Sequence, residues 1–350
     1  GGIIENVPEA KDLAEKDELA CGTMDSYLLY RLTKGKSFKT DYSNASRTQL
    51  LNIHTLSWDE EILKAFGIPK SAMAELTDSD GYFGETDFEG ILSRPVPVHA
   101  MLGDSHAALY GHGSFEKGVA KVTYGTGSSI MMNIGETPFL NDKGLVTSIA
   151  FRVNNRTSYC LEGNINYSAA IVTWLKDDLK LIETPGESEK LSREANSSDK
   201  TYLIPAFTGL GAPYYRTDVS AAFVGMSRNT GKAELVRAGL EAIVYQITDI
   251  VRLCQEAMDL EHIELRADGG ASKNRWLMQF QADILRDSVR VSTEGELSAK
   301  GAAMCAFRAL GETVREAREE SLSYSPLMED KEAKEKYNGW KKALSMLLGQ

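Results

Sequence analysis

An α/β architecture is predicted for this chain of 350 residues. Three observations carry that reading: helical and strand-like patterns alternate along the chain, apolar runs end in acids or glycines, and glycine-rich turns recur near residues 125, 209 and 269. Sheets of this class keep reactive groups at the carboxyl ends of their strands. The length allows about two domains with a sizeable core.

Taken in order, residues 11–34 carry a helical pattern, with Tyr27, Leu28 and Leu32 on one stripe and Gly35 placed to stop it. Ser57 to Glu61 reads as a helix start with acids in the first turn. The apolar run Val96 to Leu102 predicts a strand that delivers Asp104 at its tip. Another strand ends in Tyr124-Gly125-Thr126-Gly127, where glycines let the backbone approach an anion, and Ile130 to Ile134 continues as buried strand. Leu161 to Asn164 reads as a strand-to-helix turn, and the charged window 182–200 as a solvated helix and loop without function.

A second glycine-rich turn follows the strand at Tyr202 to Ala206. Residues 233–258 place Leu240, Val244, Ile247, Val251 and Cys254 on one helical face. Ile263 to Ala267 is a strand ending in Asp268-Gly269-Gly270-Ala271, with Trp276, Phe280 and Ile284 on one side of the next helix. Tyr337, Trp340, Leu344 and Leu347 mark a terminal helix.

The net charge of −11 at pH 7 disfavours nucleic acid and anionic membranes, which reward clustered Lys and Arg. Small molecules or other proteins are left as partners. Cys21, Cys160, Cys254 and Cys305 are scattered without metal-site spacing, and no long apolar run or signal-peptide pattern is present. A reduced, cytoplasmic setting is expected. The opening Gly1-Gly2-Ile3-Ile4 lacks a methionine and reads as the interior of a longer chain.

An acid ahead of a loop able to hold phosphate is the arrangement a phosphotransferase needs. A single glycine turn is more often only a turn, and Asp104 equally suits a helix N-cap. His106 and His112 are rival bases, because histidine titrates near neutral pH. His99 alternates within the expected strand, and His54 and His262 have no neighbours to work with.

In order along the chain, Gly22 to Leu29, Asp41 to Thr48, Asn52 to Asp59, Gly103-Asp104, Tyr124 to Gly127, Pro205 to Tyr214, Ala221 to Glu241 and Asp268 to Ala271 resemble the FGGY family of carbohydrate kinases, and within it the glycerol kinases. The resemblance implies an actin-like ATPase (ribonuclease H-like) fold and transfer of the ATP γ-phosphate to a polyol or sugar hydroxyl. It implies Asp104 as general base, with Mg2+ held mainly through the ATP phosphates and no metal-ligating residue assigned. Gly125, Thr126 and Gly127 match the loop facing the phosphates; Gly269, Gly270 and Asn274 match the adenosine motif, and Ala169 stands where the family has a nucleotide-site glycine.

Two departures concern the substrate. Ser105 replaces a glutamine and Ser129 an aromatic residue that touch glycerol in glycerol kinases, so a xylulose or ribulose kinase is the alternative expectation. The family's opening strand and Asp-x-Gly-Thr loop are not in these residues. The chain is therefore expected to lack the family's N-terminal part, with residues 1–110 as the end of kinase domain I and 111–350 as domain II. On that expectation it is inactive alone, or serves as a non-catalytic nucleotide-binding module; a homo-oligomer is also expected.

Overall fold

The computed structural model describes residues 2–140, 142–312 and 321–349. Its α-helices are α1 (Gly2–Asn6), α2 (Pro8–Glu15), α3 (Met24–Leu32), α4 (Tyr42–Ser46), α5 (Glu60–Ala65), α6 (Asp104–Gly111), α7 (Ala169–Asp177), α8 (Glu187–Glu194), α9 (Lys232–Met258), α10 (Arg275–Leu285), α11 (Leu297–Ala309) and α12 (Asp330–Leu348). The strands are β1 (Lys39–Asp41), β2 (Leu51–Asn52), β3 (Ser57–Trp58), β4 (Glu75–Thr77), β5 (Gly84–Thr86), β6 (Val96–Val98), β7 (Val119–Tyr124), β8 (Ser128–Gly135), β9 (Val146–Val153), β10 (Arg156–Ile165), β11 (Tyr202–Ile204), β12 (Ala222–Val224), β13 (Glu264–Asp268), β14 (Ser288–Ser292) and β15 (Ser321–Tyr324).

Seven strands form one sheet in the order β15-β14-β13-β7-β8-β10-β9. Strand β13 runs parallel to both β7 and β14, and the other pairs are antiparallel. Helices cover both faces, so the inner strands are largely buried on both sides. On one face Val122, Ile130 and Leu161 share the core of α9, whose Leu240, Val244, Ile247, Val251 and Cys254 are at most 1% exposed. Each such side chain contributes roughly 1.5–3 kcal/mol by leaving water. On the other face Leu109 and Tyr110 of α6 pack with Met131, Cys160 and Cys305.

Helices α6 and α11 meet backbone to backbone. A Cβ on Gly301 would lie 1.8 Å from the Ala107 carbonyl oxygen, and one on Gly111 would lie 2.4 Å from that of Leu297. No side chain fits between them.

Four local expectations are corrected. The helix over 11–34 is two helices, because the chain reverses at Asp17 (φ 57°) and restarts at Met24. In α3 Leu29 is buried while Tyr27 and Leu28 face outward, so the expected stripe lies on the wrong side. Leu161 to Asn164 stays within β10: Gly163 serves the close approach of Ile250, since a Cβ there would lie 2.8 Å from Ile250 Cγ2, and α7 begins only at Ala169.

The strand expected to reach Asp104 ends at Val98. Beyond it, Met101 N–H donates to the Ser79 carbonyl (3.1 Å) and Gly103 N–H to Ser43 Oγ (2.9 Å). These bonds go to helix α4 and to the turn at Ser79, not to a neighbouring strand, and the chain enters α6 from an irregular segment.

Candidate active site

Strand alternation builds the floor. Lys121 is paired with Met131, Thr123 with Ser129, Met131 with Glu162, and Ser129 with Asn164. Directly opposed residues share a face, so Lys121, Thr123, Ser129, Glu162 and Asn164 lie together on the side covered by α6. The Lys121 ammonium donates to Thr123 Oγ1 (3.2 Å) and Ser129 Oγ (3.4 Å). Glu162 accepts from Arg47 Nη1 (2.7 Å) and Asn164 Nδ2 (3.0 Å).

Asp104 opens α6 and is exposed, with Gly103 as the N-cap. Its Oδ1 accepts from Ser105 N–H at 2.6 Å, and Ser298 Oγ of α11 donates to its carbonyl at 2.9 Å. The preceding loop is fixed by a buried network in which Asp41 accepts from Ser43 Oγ (2.9 Å) and Ser79 Oγ (2.7 Å), while Ser43 Oγ receives Gly103 N–H. Burial pushes the Asp41 carboxyl above its ordinary range, against the pull of its donors.

The rival histidines have other surroundings. His106 is buried against Ser148 Oγ (3.4 Å), and burial, with the charges of Arg47 and Lys121, lowers its pKa to about 3. It is a neutral ring at neutral pH. His112, also buried, pairs through Nε2 with Asp268 Oδ2 at 2.7 Å, and Arg266 Nη1 donates to its carbonyl. That pair fastens the carboxyl end of α6 to the tip of β13.

The tips of β7 and β13 lie side by side, with Asp268 paired to Thr123. Gly125-Thr126-Gly127 forms the tight connection into β8. Gly125 N–H turns back to the Thr123 carbonyl (3.1 Å), and the Gly125 and Thr126 carbonyls accept from Ala169 N–H (2.9 Å) and Ser168 N–H (2.9 Å). At least part of this loop is thus spent on joining β7 to the start of α7. Gly269, at φ 93°, presses on Tyr124: a Cβ there would lie 2.5 Å from the Tyr124 carbonyl oxygen.

Next to these tips is a cavity of about 440 Å³. Ala169, Val172, Leu240 and Leu277 give it apolar walls, and Ser188, Lys273 and Asn274 give it polar groups. That mixture, in a cavity of this size, suits a small organic ligand such as a nucleoside. Asn274 caps α10 by accepting Leu277 N–H (3.0 Å), and its Nδ2 donates to Ser188 Oγ (3.3 Å).

Of the residues singled out from sequence, Ala169, Gly270 and Asn274 line this cavity. Gly125 and Thr126 are bonded to the start of α7, Gly269 packs on Tyr124, and Ser129 is joined to the floor by Lys121. Gly127 and Gly269 do not line the cavity. Sequence reading missed Lys121, Glu162, Arg47 and Ser188. The first two are charges inside apolar strand patterns, a signal available in the sequence; Ser188 sits in the window read as solvated.

Among the described residues no group of three or more His, Cys, Asp or Glu side chains is placed to hold a metal ion. No helix there is long and apolar enough to cross a membrane.

Comparison with known proteins gives the family of the chain. The FGGY family of carbohydrate kinases matches with its N-terminal domain over residues 3–111 and its C-terminal domain over 120–310. The expectation that the family's N-terminal part is lacking is thereby narrowed, since residues 3–111 match that domain. The chain is 48% identical to glycerol kinase 1 of Thermotoga maritima, covering 99% of this chain and 71% of that protein. It is 41% identical to glycerol kinase of Lactococcus lactis, covering 98% and 70%.

Among solved structures, Plasmodium falciparum glycerol kinase with ADP superposes with a TM-score of 0.92 at 34% identity, covering all of this chain and 71% of that one. Xylulose kinase from Rhodospirillum rubrum shares the fold, with a TM-score of 0.85 at 19% identity over 99% of this chain and 71% of its own. The fold is the actin-like ATPase fold expected from the sequence, and the chain belongs to the FGGY family of carbohydrate kinases.

Proposed function

We propose that the protein transfers the γ-phosphoryl group of ATP to a hydroxyl of glycerol or a closely similar polyol, with Asp104 as general base. The observation that carries this reading is one juxtaposition. An exposed carboxylate heads a helix fixed over the same sheet whose neighbouring strand tips, at Gly125 and Gly269, adjoin the cavity lined by Ala169, Gly270 and Asn274. The glycerol kinases reported above favour glycerol as the acceptor.

Phosphoryl transfer asks mainly for positioning and charge neutralisation. Ala169, Gly270 and Asn274 hold the adenosine part, with Gly269 setting the approach of the turn. Gly125, Thr126 and Gly127 stand at the phosphates. Asp104 accepts the proton of the attacking hydroxyl, beside Ser105 and Ser129, which face the acceptor. Magnesium, carried on the nucleotide phosphates, supplies countercharge when bound. We also place a division of the chain near residue 110, at the last turn of α6.

The test is ADP production with glycerol, erythritol, xylulose and ribulose as acceptors. Glycerol is expected to give the highest kcat/KM. Asp104→Asn is expected to lower kcat by roughly 10²–10⁴-fold; a variant that keeps its rate would remove Asp104 from the role. A ketose preferred over glycerol would replace the acceptor and leave the transfer chemistry in place.

A further inference from the structure

We infer that Lys121 is a positioning residue for the transfer, fixing the Thr123 and Ser129 hydroxyls and supplying the buried positive charge that balances the carboxylates beneath the acceptor. The ammonium is fully buried, so it acts through what it holds and not by touching substrate.

Its hydrogen-bond partners are two neutral hydroxyls, Thr123 Oγ1 at 3.2 Å and Ser129 Oγ at 3.4 Å. A charge sealed from water without a carboxylate in contact is costly to hold. Three acids act on it from different elements: Asp268 at the tip of β13, Glu162 on β10 and Asp104 at the head of α6. Cys160 of β10 acts on it too, while the other charge on this face, Arg47, is bonded to Glu162, and His106 of α6 is neutral.

An incoming phosphoryl group brings negative charge toward Asp104, Glu162 and Asp268. In a dry site, fixed countercharge of this kind is worth far more than in water. Lys121 meets that need from below, and its two hydroxyl bonds hold the first residue of the Thr123-Tyr124-Gly125-Thr126 approach and the acceptor-facing Ser129 in register.

Burial lowers the pKa of the Lys121 ammonium below the ordinary lysine value, and Asp268, Glu162 and Asp104 pull it back up. The role requires the charged form, so activity is lost as pH rises and the ammonium gives up its proton. Arginine stays charged throughout. The inference rests on Asp104 as base, and parallel measurement of Asp104→Asn separates the two: a rate kept there removes the base, whereas a rate kept in Lys121→Met removes the lysine alone.

The experiment measures kcat, acceptor KM and the pH profile of the active enzyme and its Lys121→Met and Lys121→Arg variants, with ADP binding by calorimetry as the check on folding. Lys121→Met is expected to lose on the order of 100-fold in kcat, with KM changed by less than about threefold. Lys121→Arg is expected to move the alkaline limb of kcat to higher pH by at least about one unit. If Lys121→Met fails to bind ADP, the arginine variant alone decides. An unmoved alkaline limb in Lys121→Arg, or a kcat within about threefold in a folded Lys121→Met, overturns the inference.

Discussion

His106 shows how burial sets the behaviour of one residue. Its pKa falls from 6.5 to about 3 because burial, with the charges of Arg47 and Lys121, disfavours the imidazolium. In the unfolded chain the ring takes up a proton near its ordinary value. The stability this depressed group contributes is therefore complete above pH 6.5 and is lost as pH falls toward about 3. The slope is at most about 1.4 kcal/mol per pH unit. Replacing His106 with Gln is expected to flatten the decline of Tm between these limits, measured by calorimetry; a wild-type slope in the variant would show that other groups set it.

At the scale of elements, the crossing of α6 and α11 holds Asp104 in place. Gly301→Ala puts a methyl 1.8 Å from the Ala107 carbonyl oxygen, so the helices must separate. A stability loss of about 1–3 kcal/mol is expected from overpacking, with a fall in kcat as the head of α6 shifts; denaturant unfolding and steady-state rates measure both. A variant as stable and as active as the parent would show that the contact is dispensable.

The elements also show what sequence reveals. The face of α9 was legible because its apolar residues recur at helical steps, and the end of β13 because Asp268 and two glycines close the alternating run Ile263 to Ala267. Gly163 misled because a glycine that admits Ile250 and a glycine that makes a turn look alike in one dimension. The strand expected to carry Asp104 failed for a related reason: an apolar run bonded to Ser43 of α4 and to the turn at Ser79 reads like one bonded to a strand. Lys121 was passed over because its charge, visible inside an apolar run, does not by itself tell a buried position from a strand edge.

Over the whole molecule, the segment before α6 is tied to the large sheet through few charged contacts. Its β1 and β4 form only a two-stranded parallel pair, too small to be stable alone. The Arg47–Glu162 bridge spans this junction, with the Glu162 side chain 7% exposed. Arg47→Met leaves that carboxylate with the Asn164 amide as donor and the Lys121 ammonium as its remaining countercharge, and about 1–3 kcal/mol of destabilisation is expected from the lost charged hydrogen bond. A broadened or split thermal transition, in which the early segment loosens before the sheet, is the expected signature; a single unshifted transition would place the coupling elsewhere.

The glycines of the site divide into two kinds, and the division tells an enzyme engineer where to spend a codon library. Saturation at positions 111 and 301 should return glycine alone, because the space is taken by backbone. Gly270 has nothing within 4 Å of its would-be Cβ, and it lines the cavity beside Ala169 and Asn274. Small side chains introduced there are expected to leave the fold intact and, on the proposed placement of the nucleotide, to trim the room available to a purine. Position 270 is thus the place to fit this kinase to a nucleotide analogue of altered outline.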